Sequence, residues 1–292
     1  MSIAIAFQLF IAGLSTGSIY ALVALGLALV FKATGILNFA HGEFVTLGAY
    51  LGLFASYYFG LTYPPALLVA VLLSALAGLL MEWSVVRPLI TAPPFTVVIA
   101  TLAVGLSVKN ILRLSWQENL STIPGTISHA PIAIGPLSVN PQYLVVIAVS
   151  FVLLGMLGLF FKFTSLGIAM RAVSEDQRAA RLVGINVELV LMLTFATSAG
   201  MAALAGLLLA PLTGVHIEMG WIVVKALVAA VLGGFTSLPG AVVGGLLLGL
   251  AEAFCGLFLD GVTRDLGVFG LLIIALLVRP HGLFGRSEAR RV

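Results

Sequence analysis

His41 and Glu43 stand two residues apart in the polar break Asn38-Phe-Ala-His-Gly-Glu-Phe44, with long apolar runs on either side. An imidazole beside a carboxylate can relay a proton or gate a polar path, and ionisable groups at membrane depth are retained for such tasks. The other reading makes 32–43 a turn at the membrane surface, in which Asn38 and Glu43 only cap helices. A second break, Gly233-Gly-Phe-Thr-Ser-Leu-Pro-Gly240, joins two further apolar runs that carry Lys225 and Glu252. Counted outward from this turn at about 1.5 Å per residue, the two charges fall within a turn of each other along a hairpin. They can therefore pair as a structural salt bridge. Asn38, His41, Glu43, Gly233, Gly234, Ser237 and Glu252 form the candidate lining or gate of a translocation path. The similar setting of the two breaks hints at a parallel internal repeat. Other chemistry is missing from the sequence. It has no Gly-rich phosphate loop ending in Lys-Ser/Thr, so the chain is not an ATPase. Its 4 histidines lie far apart without metal-ligand spacing. Cys255 is the only cysteine, which removes intrachain disulfides and cysteine metal sites. Ser237 lacks the nucleophile-elbow pattern. The chain reads as a non-enzyme without a metal or cofactor of its own.

The elements that must hold these residues follow from composition. The chain is 61% hydrophobic and 9% charged, against about 25% charged in soluble domains. One aqueous core cannot hide that much apolar surface, and runs of about 20 residues suit helices rather than barrel strands. The fold class is an all-α polytopic membrane protein. Spans are predicted near 7–31, 42–60, 64–86, 94–113, 142–162, 188–211, 221–234, 240–259 and 265–278, nine in all with eight or ten as neighbours. Pro64-Pro65, Pro93-Pro94 and Pro141 stand at span starts, where a missing N–H costs nothing. Met1–Gln8 has no basic n-region and reads as part of a retained first span. Lys32, Arg87, the 162–181 cluster and Arg279, Arg286, Arg290 and Arg291 place the C-terminus in the cytoplasm and the N-terminus outside. The net charge of +3 expresses topology, not nucleic-acid binding. Trp83 and Trp221 read as interface anchors, Lys109 and Arg113 as side chains snorkelling to the outer interface, and His216 and Glu218 as solvated loop residues. The whole chain, 1–292, is one membrane domain with an external loop at 114–141.

The long charged island lies at 165–186 and carries Arg171, Glu175, Asp176, Arg178 and Arg181. Thr164-Ser165 and Gly167 end the preceding span. Ser174 offers an N-cap with Gln177 completing a capping box, Glu175 and Asp176 suit the first turn, and Gly184 suits the stop. This predicts a short cytoplasmic helix over 174–184 with Ala179, Leu182 and Val183 on one face. Such a face suits a partner's groove, while a solvated loop that only sets topology fits the same residues.

Gly167-Ile-Ala-Met-Arg-Ala-Val-Ser-Glu-Asp176 and Ala179-Ala-Arg-Leu-Val-Gly-Ile-Asn186 resemble the cytoplasmic loop of bacterial branched-chain amino-acid ABC importer permeases. Gly17-Ser-Ile-Tyr-Ala-Leu-Val-Ala-Leu-Gly-Leu-Ala-Leu-Val-Phe31 resembles that family's first span. The 38–44 break, the Gly-rich 233–252 stretch and Arg279-Pro-His-Gly-Leu-Phe-Gly285 match further parts in the same order. The 114–141 segment carries none of the resemblance. The resemblance implies an inner-membrane importer of two permeases, identical or homologous, with two ATP-binding subunits and a soluble substrate-binding protein. ATP and Mg would be bound by the partner subunits. It also implies that Ala169, Arg171, Ala172, Glu175, Asp176, Ala180 and Gly184 form the element that couples to the ATPase. The implied cargo is a branched-chain or hydrophobic amino acid, with urea, short amides or other small solutes as the same-family alternative. A channel or carrier working without an ATPase is the rival class. An intramembrane enzyme would have only His41 and Glu43 to work with.

Overall fold

The computed structural model describes residues 3–116, 132–134, 137–259, 261–279 and 282–285. The centre of the predicted external loop (117–131) lies outside the described residues, as do Pro280, His281, Arg286, Arg290 and Arg291. The helices are α1 (Ile3–Thr34), α2 (His41–Phe59), α3 (Tyr63–Met81), α4 (Pro94–Ser115), α5 (Pro141–Phe163), α6 (Ser165–Glu175) and α7 (Gln177–Leu182). They continue with α8 (Val187–Thr213), α9 (Ile222–Gly233), α10 (Leu238–Cys255) and α11 (Gly261–Val278). A π-helical turn, Glu82–Val86, and a 3-10 turn, Arg87–Leu89, extend α3. Within the predicted external loop, β1 (Ile132–Ile134) and β2 (Leu137–Val139) form an antiparallel hairpin, with Ala133 opposite Ser138.

Among the described residues, six helices are long and apolar enough to cross a membrane: α1, α3 with its extension, α4, α5, α8 and α10. The architecture is therefore helical and polytopic, as composition predicts. α2, α9 and α11 occupy the other three predicted spans with 19, 12 and 18 residues. At the helical rise, α9 covers only about 18 Å of a hydrocarbon layer about 30 Å thick. The proline signals hold, since α3 and α4 carry Pro in the first two positions and α5 starts on Pro141.

Contacts divide the chain into two compact units. One comprises Met1–Ala28, Ile127–Phe151 and Val224–Val292; the other comprises Leu29–Thr126 and Val152–Val223. In the first unit, α1 and α10 cross where two small-xxx-small motifs meet: Gly13 with Gly17, and Gly245 with Gly249. A Cβ on Gly249 would stand 2.2 Å from the Gly17 backbone, so only glycine permits this approach. Close backbone contact is the main attraction left to helices in lipid, where apolar burial gains little. The α9–α10 turn is closed by Ser237, whose Oγ accepts from the Gly240 N–H at 3.1 Å. The Leu283 and Phe284 N–H groups donate to the Leu232 and Gly233 carbonyls at 2.9 and 3.0 Å. They satisfy acceptors that the end of α9 would otherwise leave open.

In the second unit, α8 packs between α2 and α3. Seventeen of its 27 residues are buried, many of them Gly, Ala or Ser. Small side chains along α8 allow α2 and α3 to approach closely on either side.

Candidate functional site

The course of the 35–40 segment bears on the two readings of the first polar break. Lys32, in the last turn of α1, meets Glu175 of the island at 2.7 Å, so α1 ends at the level of the island. The chain then turns at Gly35 (φ +72°) and stays non-helical to Ala40. Fully extended, six residues would reach about 20 Å, and the turn from Asn38 to His41 shortens this. The Phe39 N–H donates to Thr101 Oγ at 3.2 Å, about 10 Å along α4 from its first residue. His41 Nδ1 and Ser198 Oγ share a hydrogen bond of 3.1 Å. Ser198 lies about 16 Å along α8 from the helix start beside the island. His41 is fully buried and Asn38 nearly so. Asn38 Oδ1 accepts the Ala40 N–H at 3.0 Å, which shapes the last turn before α2. The capping part of the surface-turn reading is corrected: Asn38 braces this segment without capping α2, whose N-cap is Ala40. Asn38, Ala40 and His41 are buried in protein, which is where irregular backbone is tolerated, while Gly35 and Phe39 stay exposed.

Glu43 follows in the first turn of α2, only partly exposed. Its side chain lies against Gly220, where a Cβ would come within 2.9 Å of the carboxylate, and against Gly105 of α4. Its Oε2 makes no hydrogen bond; the Thr46 hydroxyl is a polar neighbour without suitable geometry, and Lys109 is a charged one. Lys109 itself bonds Glu218 Oε2 at 2.5 Å. The Trp221 indole N–H donates to the same oxygen at 2.9 Å, and Arg113 Nη2 stands 3.7 Å from Oε1. Lys109 and Arg113 thus meet at Glu218, a half-exposed loop residue that is the hub of a network the sequence reading does not foresee. The hydrogen-bonded Lys109 holds the Glu218 carboxyl below its ordinary value, against partial desolvation, with Trp221 and Arg113 assisting.

The predicted pair at the second break is present. Lys225 Nζ donates to Glu252 Oε1 at 2.7 Å. The Tyr20 hydroxyl donates to Oε2, and Arg264 Nε stands 3.6 Å from Oε1. One carboxylate with 8% side-chain exposure thus gathers a phenol and two cations. Gly233 and Gly234 form the turn, with Ser237 as the α10 cap. In the second unit the candidate residues Asn38, His41 and Glu43 come together; Gly233, Gly234, Ser237, Lys225 and Glu252 belong to the first.

The island departs from its predicted form. It is two helices, not one helix over 174–184. Thr164 Oγ caps α6 by accepting the Gly167 N–H, and Asp176 Oδ1 caps α7 by accepting from Arg178 and Ala179. Ser174 instead donates back to the Arg171 carbonyl. An aspartate two residues closer to α7 wins because its carboxylate reaches two orphan N–H groups at once. Gln177, freed from a capping box, donates to the Ala33 carbonyl at 2.7 Å. Gly184, at φ +85°, ends α7 as expected. Arg171, Glu175, Asp176, Arg178, Arg181 and Gly184 are exposed, Ala169 and Ala172 partly so, and Ala180 is buried. Leu182 and Val183 are 89% and 76% exposed. Arg181 reaches Glu188 in the first turn of α8 at 3.2 Å.

Sequence reasoning singles out neither Tyr20, Thr101, Ser198 nor Arg264, whose roles depend on long-range pairing. Glu82 is also missed, although a carboxylate inside an apolar run is a usable signal. It is 1% exposed, its Oε2 makes no hydrogen bond, and it opens the π-helical turn.

Six helices among the described residues, long and apolar enough to cross a membrane, with a buried histidine, ion pairs between helices and a charged island, make a multi-pass membrane protein the class. The fold is shared with a chain of PsaBC from Streptococcus pneumoniae solved in complex with Fab, at TM-score 0.53 and 16% identity, covering 92% of this chain and 91% of that one. Residues 9–277 match the family described as branched-chain amino acid transport system / permease component, and the chain belongs to that family. Among its relatives is BraD of Pseudomonas aeruginosa, a high-affinity branched-chain amino acid transport system permease protein. It is 35% identical, over 98% of this chain and 97% of BraD. The permease protein LivH of Escherichia coli strain K12 is 33% identical over 96% of each chain.

Proposed function

We propose that the chain is a permease subunit of an ATP-driven ABC importer that carries branched-chain amino acids inward. The observation that supports this most is the family match across 9–277, which includes the island and both breaks. On this reading all 292 residues act as one permease domain in a bacterial inner membrane. Nine spans run from an outer N-terminus to a cytoplasmic C-terminus. α2, α9 and α11 complete the spans, with α9 lying short or tilted within the protein. A second permease, two ATP-binding subunits that hold ATP and Mg, and a soluble binding protein complete the machine. The binding protein selects the cargo, so the permease wall can remain largely apolar.

The island is the ATPase-docking element. Leu182 and Val183 offer the apolar surface, with Arg171, Arg178 and the capping Asp176 around it, and a helix with exposed apolar residues is what a partner groove takes up. Ala169, Ala172, Glu175, Ala180 and Gly184 keep α6 and α7 in place. Asn38, His41 and Glu43 serve the path or its gate. The test is uptake of labelled leucine into proteoliposomes holding the full complex. Arg178→Glu with Leu182→Glu changes only exposed side chains. It is expected to abolish uptake and ATPase capture while membrane insertion stays normal. Unchanged uptake by this variant would favour the carrier that works without an ATPase.

A further inference from the structure

We infer that the island moves the segment 35–40 through the last turn of α1, with Gln177 as the residue that locks island and α1 together. The inference rests on the importer reading and names what docking would move. The island is joined to α1 by an ion pair and by a hydrogen bond. The Lys32–Glu175 pair, at 2.7 Å, has side-chain exposures of 22% and 73%, so water and salt weaken it. The Gln177 bond to the Ala33 carbonyl, also 2.7 Å, is partly buried. It satisfies one of the acceptors that the end of α1 cannot satisfy itself. Gln177 opens α7, whose N-cap Asp176 is shared with the end of α6. Any tilt of α7 on a partner therefore pulls directly on Ala33.

Two residues beyond Ala33 lies Gly35, at φ +72°, with nothing within 4 Å of where a Cβ would stand. This is a joint with left-handed backbone and open space on its Cβ side. It is held by the Gly35 N–H bond to the Phe31 carbonyl at 2.7 Å and the Ile36 N–H bond to Thr34 Oγ at 3.2 Å, the bonds that turning must break. Beyond it, the chain leads within six residues to Phe39, bonded to Thr101, and His41, bonded to Ser198. The geometry makes island and α1 end one body, Gly35 its joint, and the Phe39 and His41 contacts the points that slide when the joint turns. Gln177 is thus a positioning residue; it acts on the path through the backbone and touches no cargo.

The experiment uses the full complex with its ATP-binding subunits and binding protein in proteoliposomes, measuring leucine uptake and ATP hydrolysis together. Gln177→Leu keeps the side-chain volume and removes the donor. Uptake per ATP should fall about five- to tenfold, while hydrolysis and assembly hold. Gln177→Lys, which keeps a donor able to reach the carbonyl, should retain coupling. In a Cys255→Ala background, a short thiol cross-linker between Ala33→Cys and Gln177→Cys should leave transport intact. One between Phe39→Cys and Thr101→Cys should arrest it. Unchanged uptake per ATP in Gln177→Leu, a proportional loss of uptake and hydrolysis, or the opposite cross-linking pattern would each overturn the inference. If the unaltered complex shows no ATP-driven uptake, the importer reading falls first and this inference with it.

Discussion

The Glu252 cluster is the strongest quantitative commitment in the molecule. Glu252, with 8% side-chain exposure, bonds Lys225 at 2.7 Å, and the Lys225 side chain is itself 20% exposed. Removing one member of such a pair leaves a buried charge and costs about 3–5 kcal/mol, whereas replacing both with apolar groups is often neutral. Lys225→Met leaves Glu252 with Tyr20 and Arg264, the latter at 3.6 Å, so its cost belongs at the low end, about 3 kcal/mol. Glu252→Leu leaves Lys225 beside Arg264 without the shared anion and should cost at least as much. The double variant should return most of that loss, to a net cost of about 1 kcal/mol, which makes the coupling energy about 5 kcal/mol. Tyr20→Phe removes a hydrogen bond to a charged acceptor and should cost about 1.5–3 kcal/mol. Cys255, the only cysteine, lies on α10 one turn from Glu252. Its modification by a thiol-reactive fluorophore during a thermal ramp reports unfolding where it matters. A 3 kcal/mol loss should lower the midpoint by roughly 6–12 °C. If the double variant melts as low as either single one, the pair does not hold α9 to α10, and the argument from desolvated charge fails.

Two further outcomes follow from the geometry. Gly249→Ala places a Cβ 2.2 Å from the Gly17 backbone, so α1 and α10 must separate; overpacking of this kind costs about 1–3 kcal/mol. Gly155→Ala, with nothing within 4 Å of the new methyl, is the matched control, and equal thermal midpoints for the two would refute the close-crossing argument. The Glu218 carboxyl is depressed below its ordinary 4.5 by Lys109. Its contribution to stability is therefore complete above 4.5 and is lost as pH falls through the lower folded value. Fluorescence of Trp221, which donates to Glu218, should hold steady from neutral pH to about 4.5 and change below it. Glu218→Gln should abolish that acid limb.

Much of this was legible because bilayer physics imposes long apolar runs. All nine predicted spans fall on helices, and prolines mark where α3, α4 and α5 begin. The Lys225–Glu252 pair was legible because one tight turn fixes the register of both its helices. The island's cap was misread for a local reason: Ser174 and Asp176 both qualify as N-caps, and the choice depends on where α6 ends. That end is set by packing, since Met170 and Val173 of α6 are buried and hold Ser174 inside the helix. Once α6 extends to Glu175, only Asp176 is left to start α7. Gln177 then turns to α1, a partner 144 positions away that no local pattern reveals.

The two polar breaks look alike in sequence, each with a glycine, a small polar residue and a following Gly-rich helix, yet they form different structures. At the second, Gly234 bonds back to Ala230 and Val231, and the Ser237 N–H donates to the Gly234 carbonyl, giving a hairpin turn that closes within a few residues. At the first, six non-helical residues carry the chain back to Thr101 and Ser198. The parallel repeat suggested by the pattern is thus one of composition, not of local conformation. Hydropathy cannot separate the cases, because it counts how apolar a segment is and not what surrounds it. At the first break α4 and α8 supply a hydroxyl each, Thr101 to the Phe39 N–H and Ser198 to the His41 ring. Those two hydroxyls lie 62 and 157 positions from their partners. A polar residue in an apolar chain therefore announces that a partner exists, while its depth is fixed by residues elsewhere in the sequence. That is why His41 stands out by its type alone, while the partner that buries it, Ser198, is seen only in the fold.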